Sequence, residues 1–138
     1  MIHITREEFS VDETIRKLRI DEMGAITIFV GVVRGESKGC EVDHIEVHAY
    51  EEMAIQQLQA IEKRAIEKFG VKSVNVIHRI GSLKVSEKIM LIAVGAEHRR
   101  EAFDACRYIL EQIKRMVPIW KKEYTPDGSY WVEEKHDD

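Results

Sequence analysis

Cysteine and proline are scarce: the 138 residues hold two of each. Cys40 and Cys106 stand far apart and form no CxxC, which excludes a disulfide framework and a cysteine zinc site and fits a reducing cytoplasm. With so little proline there is no linker, repeat or low-complexity segment, so residues 1–138 read as one domain. A basic excess is missing too. Lys plus Arg is 21 against 25 Asp plus Glu, a net charge of -4, which argues against a general binder of nucleic acid or anionic membrane. The longest nearly apolar run, Gly24 to Val33, is too short for a bilayer span of roughly 20 residues. Met1 to Arg6 lacks the long apolar stretch of a signal peptide, and a cytoplasmic location without membrane attachment is expected.

What remains is an ordinary globular composition, 44% hydrophobic and 33% charged, in a chain long enough to bury a core without staples. Ser10-Val-Asp-Glu13 has the capping-box pattern and opens a short helix to about Leu18. Ala25 to Val30 is β-branched and aromatic and reads as a buried strand. Arg34 to Gly39 is a loop by composition, and Val42 to Tyr50 alternates as a strand. Glu51 to Phe69 carries an apolar stripe, Ala54, Leu58, Ile61, Ala65 and Phe69, with Gly70 placed to end the helix. Strands are expected over Ser73 to Ile80 and Lys88 to Val94, with Gly81 to Glu87 between them. A second long helix runs from about His98 to Val117, ended by Pro118. Ile119 to Tyr124 and Ser129 to Val132 form a C-terminal hairpin about Thr125-Pro-Asp-Gly128, which fits a type I turn. The order β-α-β-β-α-β-β-α-β-β predicts an α+β fold with helices packed on a largely antiparallel sheet. Residues 133–138 are too polar to pack and are expected to form a disordered tail.

The second long helix starts against its own dipole. His98, Arg99 and Arg100 open it, and cations there cost stability unless an anion binds. A phosphate or carboxylate site is one account; neutralisation by Glu97 and Asp104 on a solvated face is the other. The same helix ends with Lys114 and Arg115, and Lys121 and Lys122 follow Pro118. Arg115 is placed to pair with Glu111, four residues before it. Lys121 and Lys122 alternate in an extended segment, so one faces Lys114's side of the fold and the other faces solvent. A lysine in a partly desolvated pocket beside other cations has a lowered pKa and can act as base or nucleophile, although a solvated face also explains the group. Arg34 closes a buried strand, where ligand contacts often lie, but Arg34-Gly-Glu-Ser-Lys-Gly39 is no P-loop. The histidines have no metal-ligand spacing; His44 and His48 read as partly exposed strand residues. Cys106 falls on the apolar stripe with Ala102, Ile109 and Ile113 and reads as core. Trp120 and Trp131 flank the turn and are expected to pack, with Trp120 also able to line a pocket mouth. No metal and no cofactor is expected.

Several of these segments together resemble one family. Gly24-Ala-Ile-Thr-Ile-Phe-Val-Gly-Val-Val-Arg34, Val47-His-Ala-Tyr-Glu-Glu-Met-Ala54 and Ile77-His-Arg-Ile-Gly81 are similar to elements of the molybdopterin synthase large, catalytic subunit (the MoaE family). So are His98-Arg99, Phe103, and Lys114 through Pro118-Ile-Trp-Lys-Lys-Glu123. The motifs occur in the right order over about residues 5 to 133. The resemblance implies conversion of cyclic pyranopterin monophosphate to molybdopterin. Two sulfurs arrive as a thiocarboxylate on the C-terminal Gly-Gly of a small ubiquitin-like subunit (MoaD type), within a heterotetramer built on a dimer of large subunits. It implies Lys114 and Lys121 as the catalytic pair at the thiocarboxylate, and Arg34, His98 and Arg99 as substrate-binding residues. It also implies pockets near the dimer interface that can draw on both chains. Lys122 stands at a generic basic position, and Glu123 is expected to have an ion-pairing, structural role. The alternatives are a non-catalytic dimeric α+β module that binds a small anionic metabolite and, without any ligand, a structural adaptor. The helix-start cations fit both the enzyme and the anion-binding module; the paired lysines about Pro118 fit only the enzyme.

Overall fold

The structure, a computed structural model, describes residues 1–132; the expected disordered tail lies outside the described residues. The elements are β1 (Ile2–Thr5), α1 (Val11–Leu18), β2 (Ala25–Val32), β3 (Glu36–Ser37), β4 (Cys40–Glu41), β5 (His44–Ala49), α2 (Glu51–Phe69), β6 (Ser73–Arg79), β7 (Gly81–Lys84), β8 (Lys88–Ala96), α3 (Arg99–Met116), β9 (Ile119–Thr125) and β10 (Gly128–Trp131). The α+β class holds. The strands divide into two four-stranded sheets, in the orders β1-β6-β8-β2 and β10-β9-β5-β7, plus the small β3-β4 hairpin. All pairings are antiparallel except β1 with β6.

Three short strands lie where connections were expected. β3 and β4 are two residues each, joined by Lys38 and Gly39 at φ 52 and 79. Positive φ at both central positions is the geometry of a tight hairpin turn. Two residues are too few to print an alternating pattern. β7 occupies the first half of the stretch from Gly81 to Glu87 and pairs with β5. At the C-terminal hairpin, Thr125 and Gly128 face each other across Pro126 and Asp127. Neither central residue has positive φ and no peptide is cis, so the turn is compatible with type I.

The helices form where the patterns placed them. Ser10 Oγ accepts from the Glu13 N–H at 3.2 Å, the forward half of the capping box. Ala54, Leu58, Ile61 and Ala65 of α2 are buried, and Gly70 ends the helix at φ 67. That left-handed conformation costs a glycine nothing. α3 buries Ala102, Ala105, Cys106, Ile109 and Ile113. α2 and α3 cover one face of the first sheet, packing with Val74, Val76, Ile92 and Val94. α1 covers the other face, where Leu18 meets Leu91 and Ala93. β8 is therefore covered on both faces, which is why eight of its nine residues are buried and why it reads as an unbroken apolar run. Each fully buried Leu or Ile here contributes roughly 1.5–3 kcal/mol.

Candidate functional site

The C-terminal end of α3 builds a small enclosure. Pro118 stops the helix and the chain turns directly into β9, where Ile119 and Lys121 alternate onto one side. A cavity of about 30 Å³ results, lined by His78, Met90, Ile113, Lys114, Ile119 and Lys121. That is room for about one water or one small polar group. Lys121 thus faces Lys114's side, as the alternation required. Lys122 takes the opposite side, with its ammonium 5.8 Å from the Tyr124 ring centroid and 5.1 Å from that of Trp131. The Tyr124 phenol is held above its usual pKa, first by burial and then by its hydrogen bond to the Glu46 carboxylate. It donates to Glu46 Oε2 at 3.0 Å.

Arg34 is exposed, just past β2. Its neighbour Val33 is anchored by N–H donation to Glu87 O at 3.0 Å. Val32 pairs with Lys88 at the start of β8, the strand whose Met90 lines the lysine cavity. Arg34 and the two lysines therefore share one end of the first sheet. His98 and Arg99 stand at the other end. β8 delivers the chain to His98, which is the N-cap of α3 and makes no side-chain capping bond. His98 Nε2 lies 3.7 Å from Glu97 Oε1, both largely exposed; such a surface contact is worth little. From His98 to Lys114 the helix advances about 24 Å at its rise per residue. One protomer thus gathers Lys114, Lys121 and Arg34 at one end, and His98 with Arg99 at the other.

Other expectations sort clearly. Cys106 is 6% exposed, and burial pushes its thiol up from 9 to about 11, so it is core and not a thiolate nucleophile. His44 stacks on Tyr124 with centroids 4.5 Å apart, and His48 is half exposed beside Glu46. Among the described residues, no three His, Cys, Asp or Glu side chains converge as a metal site requires. Three expectations fail in whole or in part. Glu111 accepts from Arg107 Nε at 3.0 Å, so it pairs with the residue a turn before it and not with Arg115. Trp120 and Trp131 are 44% and 57% exposed and do not pack inward; Trp120 meets the Tyr50 ring edge-on, with centroids 5.0 Å apart. Trp120 also lies outside the lysine cavity. Glu123 is structural, but through a neutral partner: it accepts from Ser37 Oγ at 3.0 Å and ties the β3-β4 hairpin to β9. His78 also lines the cavity, a place that its segment Ile77-His-Arg-Ile-Gly81 does not by itself predict. Its signal was the alternation of β6, which turns Val74, Val76 and His78 toward the helices.

The MoaE protein family matches residues 4–116. The chain belongs to the MoaE family. Among members of this family, the molybdopterin synthase catalytic subunit of Pyrococcus abyssi is 41% identical over 127 residues, covering 92% of this chain and 86% of that one. That of Bacillus subtilis is 41% identical over 129 residues, covering 94% and 82%. The fold is similar to the crystal structure of molybdopterin synthase from Staphylococcus aureus, with a TM-score of 0.90 at 37% identity, covering 95% of this chain and 96% of that one. One chain in a complex of subunits 1 and 2 of molybdopterin-converting factor from Helicobacter pylori has the same fold, with a TM-score of 0.77 at 20% identity, covering 97% of this chain and 91% of that one.

Proposed function

We propose that this chain is the catalytic subunit of a molybdopterin synthase, a cytoplasmic sulfurtransferase that converts cyclic pyranopterin monophosphate to molybdopterin. The observation that carries the reading is the enclosure of Lys114 and Lys121 in one small cavity, at positions that match the family's lysines. The sulfur donor is the C-terminal Gly-Gly thiocarboxylate of a small ubiquitin-like partner, whose extended tail is narrow enough to reach such a cavity. The thiocarboxylate sulfur attacks a side-chain carbon of the pterin and the carbon–oxygen bond there breaks, its oxygen leaving on the opened cyclic phosphate at one carbon and as water at the other, so that an acyl-thioester bridge remains. Water then adds to the acyl carbon, the C–S bond breaks, the carrier leaves as a carboxylate, and the sulfur stays on the pterin. Negative charge develops on the acyl oxygen, where a fixed ammonium in a water-poor cavity stabilises it best. Lys121 is the principal electrostatic and proton-transfer residue. Lys114 orients the thiocarboxylate.

A phosphate-bearing substrate needs cations, and His98 and Arg99 with the free N–H groups of the α3 start supply them. They stand about 24 Å from Lys114 in the same chain, too far for one small molecule. A second copy resolves this. β2 is an edge strand, and beside it a groove of about 490 Å³ runs between Ile28, Phe29, Phe103 and Leu110, with Phe103 62% exposed. An antiparallel pairing of β2 with its copy, centred on Phe29, sets Arg34 opposite Gly24 of the partner subunit. Gly24 is bonded to Ala96 O at 3.0 Å, two residues before His98. Arg34, Lys114 and Lys121 of one protomer then meet His98 and Arg99 of the partner subunit. Two small subunits, one at each lysine cavity, complete a heterotetramer.

The test is reconstitution with a thiocarboxylated partner and the cyclic pterin phosphate, reading the dithiolene product. The wild type forms it, and Lys121→Ala loses about a hundredfold or more in rate. Full transfer by Lys121→Ala overturns the assignment. Binding of the pterin without any transfer from a verified partner leaves an anion-binding module instead.

A further inference from the structure

We propose that His78 is a positioning residue of the lysine cavity, with its imidazole Nε2 holding a lysine ammonium in the direction of the incoming acyl group. The inference rests on the sulfur-transfer reading above. His78 is 2% exposed and lies on the face of β6 that carries Val74 and Val76 into the core beneath the helices. A polar ring at such a position is costly unless its nitrogens are matched. One nitrogen is fixed: Nδ1 lies 2.9 Å from Arg79 O. A carbonyl only accepts, so Nδ1 carries the hydrogen. In the neutral ring Nε2 is then an acceptor, and with Nδ1 turned to the main chain it is the nitrogen left for the cavity.

The rest of the lining makes that acceptor matter. Met90, Ile113 and Ile119 are apolar, and Lys114 and Lys121 bring donors without acceptors. His78 supplies the one nitrogen acceptor among these six side chains, and none of the three polar residues is without a partner. A lysine ammonium is a point charge on a flexible four-carbon stem. Two of them in one small space repel, and each gains by leaning toward solvent. An imidazole held rigidly by the Arg79 carbonyl gives one ammonium a fixed direction before the anion arrives.

Two replacements separate this role from simple core filling. Asparagine puts an amide nitrogen where Nδ1 lies and nothing where Nε2 lies. Glutamine reaches the Nε2 place and lacks the Nδ1 donor. With the reconstituted complex in single-turnover sulfur transfer, H78Q stays within about threefold of wild type. H78N falls by about tenfold or more, as for one lost hydrogen bond to a charged group, while both variants share the same melting temperature and bind the small subunit equally. Equal rates for the two variants, or losses that follow their melting temperatures, overturn the proposal. Imidazole 15N NMR on the whole protein reads the ring without any turnover. The wild type holds its proton on Nδ1, and the Nε2 resonance moves in Lys114→Met or Lys121→Met. A proton on Nε2, or a resonance that neither replacement moves, also overturns it. A wild type that binds its partner but transfers no sulfur defeats the functional reading, while the NMR still decides the contact.

Discussion

At the scale of single residues, the two cysteines separate burial from reactivity. Cys106 lies under α3 with its thiol pushed up to about 11, whereas Cys40 is exposed on the β4 strand. Iodoacetamide at neutral pH is expected to modify the native protein once, at Cys40, and the unfolded protein twice, as counted by mass spectrometry. The same shift sets an alkaline limit on stability. The folded thiol keeps its proton up to about 11 while the unfolded thiol releases it near 9, so between those values the folded state binds more protons and stability falls as pH rises. Cys106→Ala is expected to flatten that part of a melting temperature against pH profile. Arg79 is a different kind of buried polar residue. It is 6% exposed, and its guanidinium donates to Arg6 O, Lys88 O and Glu87 Oε2 at 3.2, 3.4 and 3.5 Å, tying β1 and the β7-β8 turn to β6. Arg79→Ala is expected to cost about 3–5 kcal/mol in chemical denaturation. Residue chemistry was legible wherever period decided it: Cys106 on a helical stripe, Lys121 and Lys122 on opposite sides of a strand. It was not legible where a partner decided it. Glu111 had cations four residues away on both sides, and spacing alone could not choose Arg107 over Arg115.

At the scale of elements, the three helices and the longer strands followed from caps, periodicity and Pro118. The short strands β3, β4 and β7 did not, because their pairing comes from β5 and from each other and not from their own composition. Gly24 is an instructive case. A Cβ there would meet Glu97 O, so the start of β2 passes against the backbone that leads into His98. Gly24→Ala forces that backbone aside and is expected to cost about 1–3 kcal/mol. It should also weaken pterin phosphate binding, because the displaced segment carries His98 and Arg99. Calorimetric binding measured beside Gly70→Ala, which costs about 1 kcal/mol at a left-handed position outside the segment that carries His98 and Arg99, separates the two effects.

At the scale of the whole molecule, the net charge of -4 conceals an uneven distribution. From His98 to Lys122, seven lysines and arginines face Glu101, Asp104 and Glu111. Apart from Arg107, which pairs with Glu111 along the helix, these cations fall into two groups at the two ends of α3. The sequence patterns identified both groups, and a helix from His98 to Val117 already sets about 24 Å between them; the patterns could not say which copy supplies each residue. In the proposed reading, that span leaves one protomer with half of the site. Phe103, exposed beside the free edge of β2, is the residue whose loss should cost assembly without costing the fold. Phe103→Glu is expected to keep the melting temperature, sediment as a monomer and lose sulfur transfer. The most direct test of a site divided between two copies is to mix Lys114→Ala with His98→Ala, each inactive alone, under conditions that exchange subunits. Half the dimers are then mixed, and each mixed dimer holds one intact site of its two. About a quarter of wild-type sulfur transfer is predicted to return. A mixture that forms dimers yet transfers no more sulfur than its parts would contradict the account.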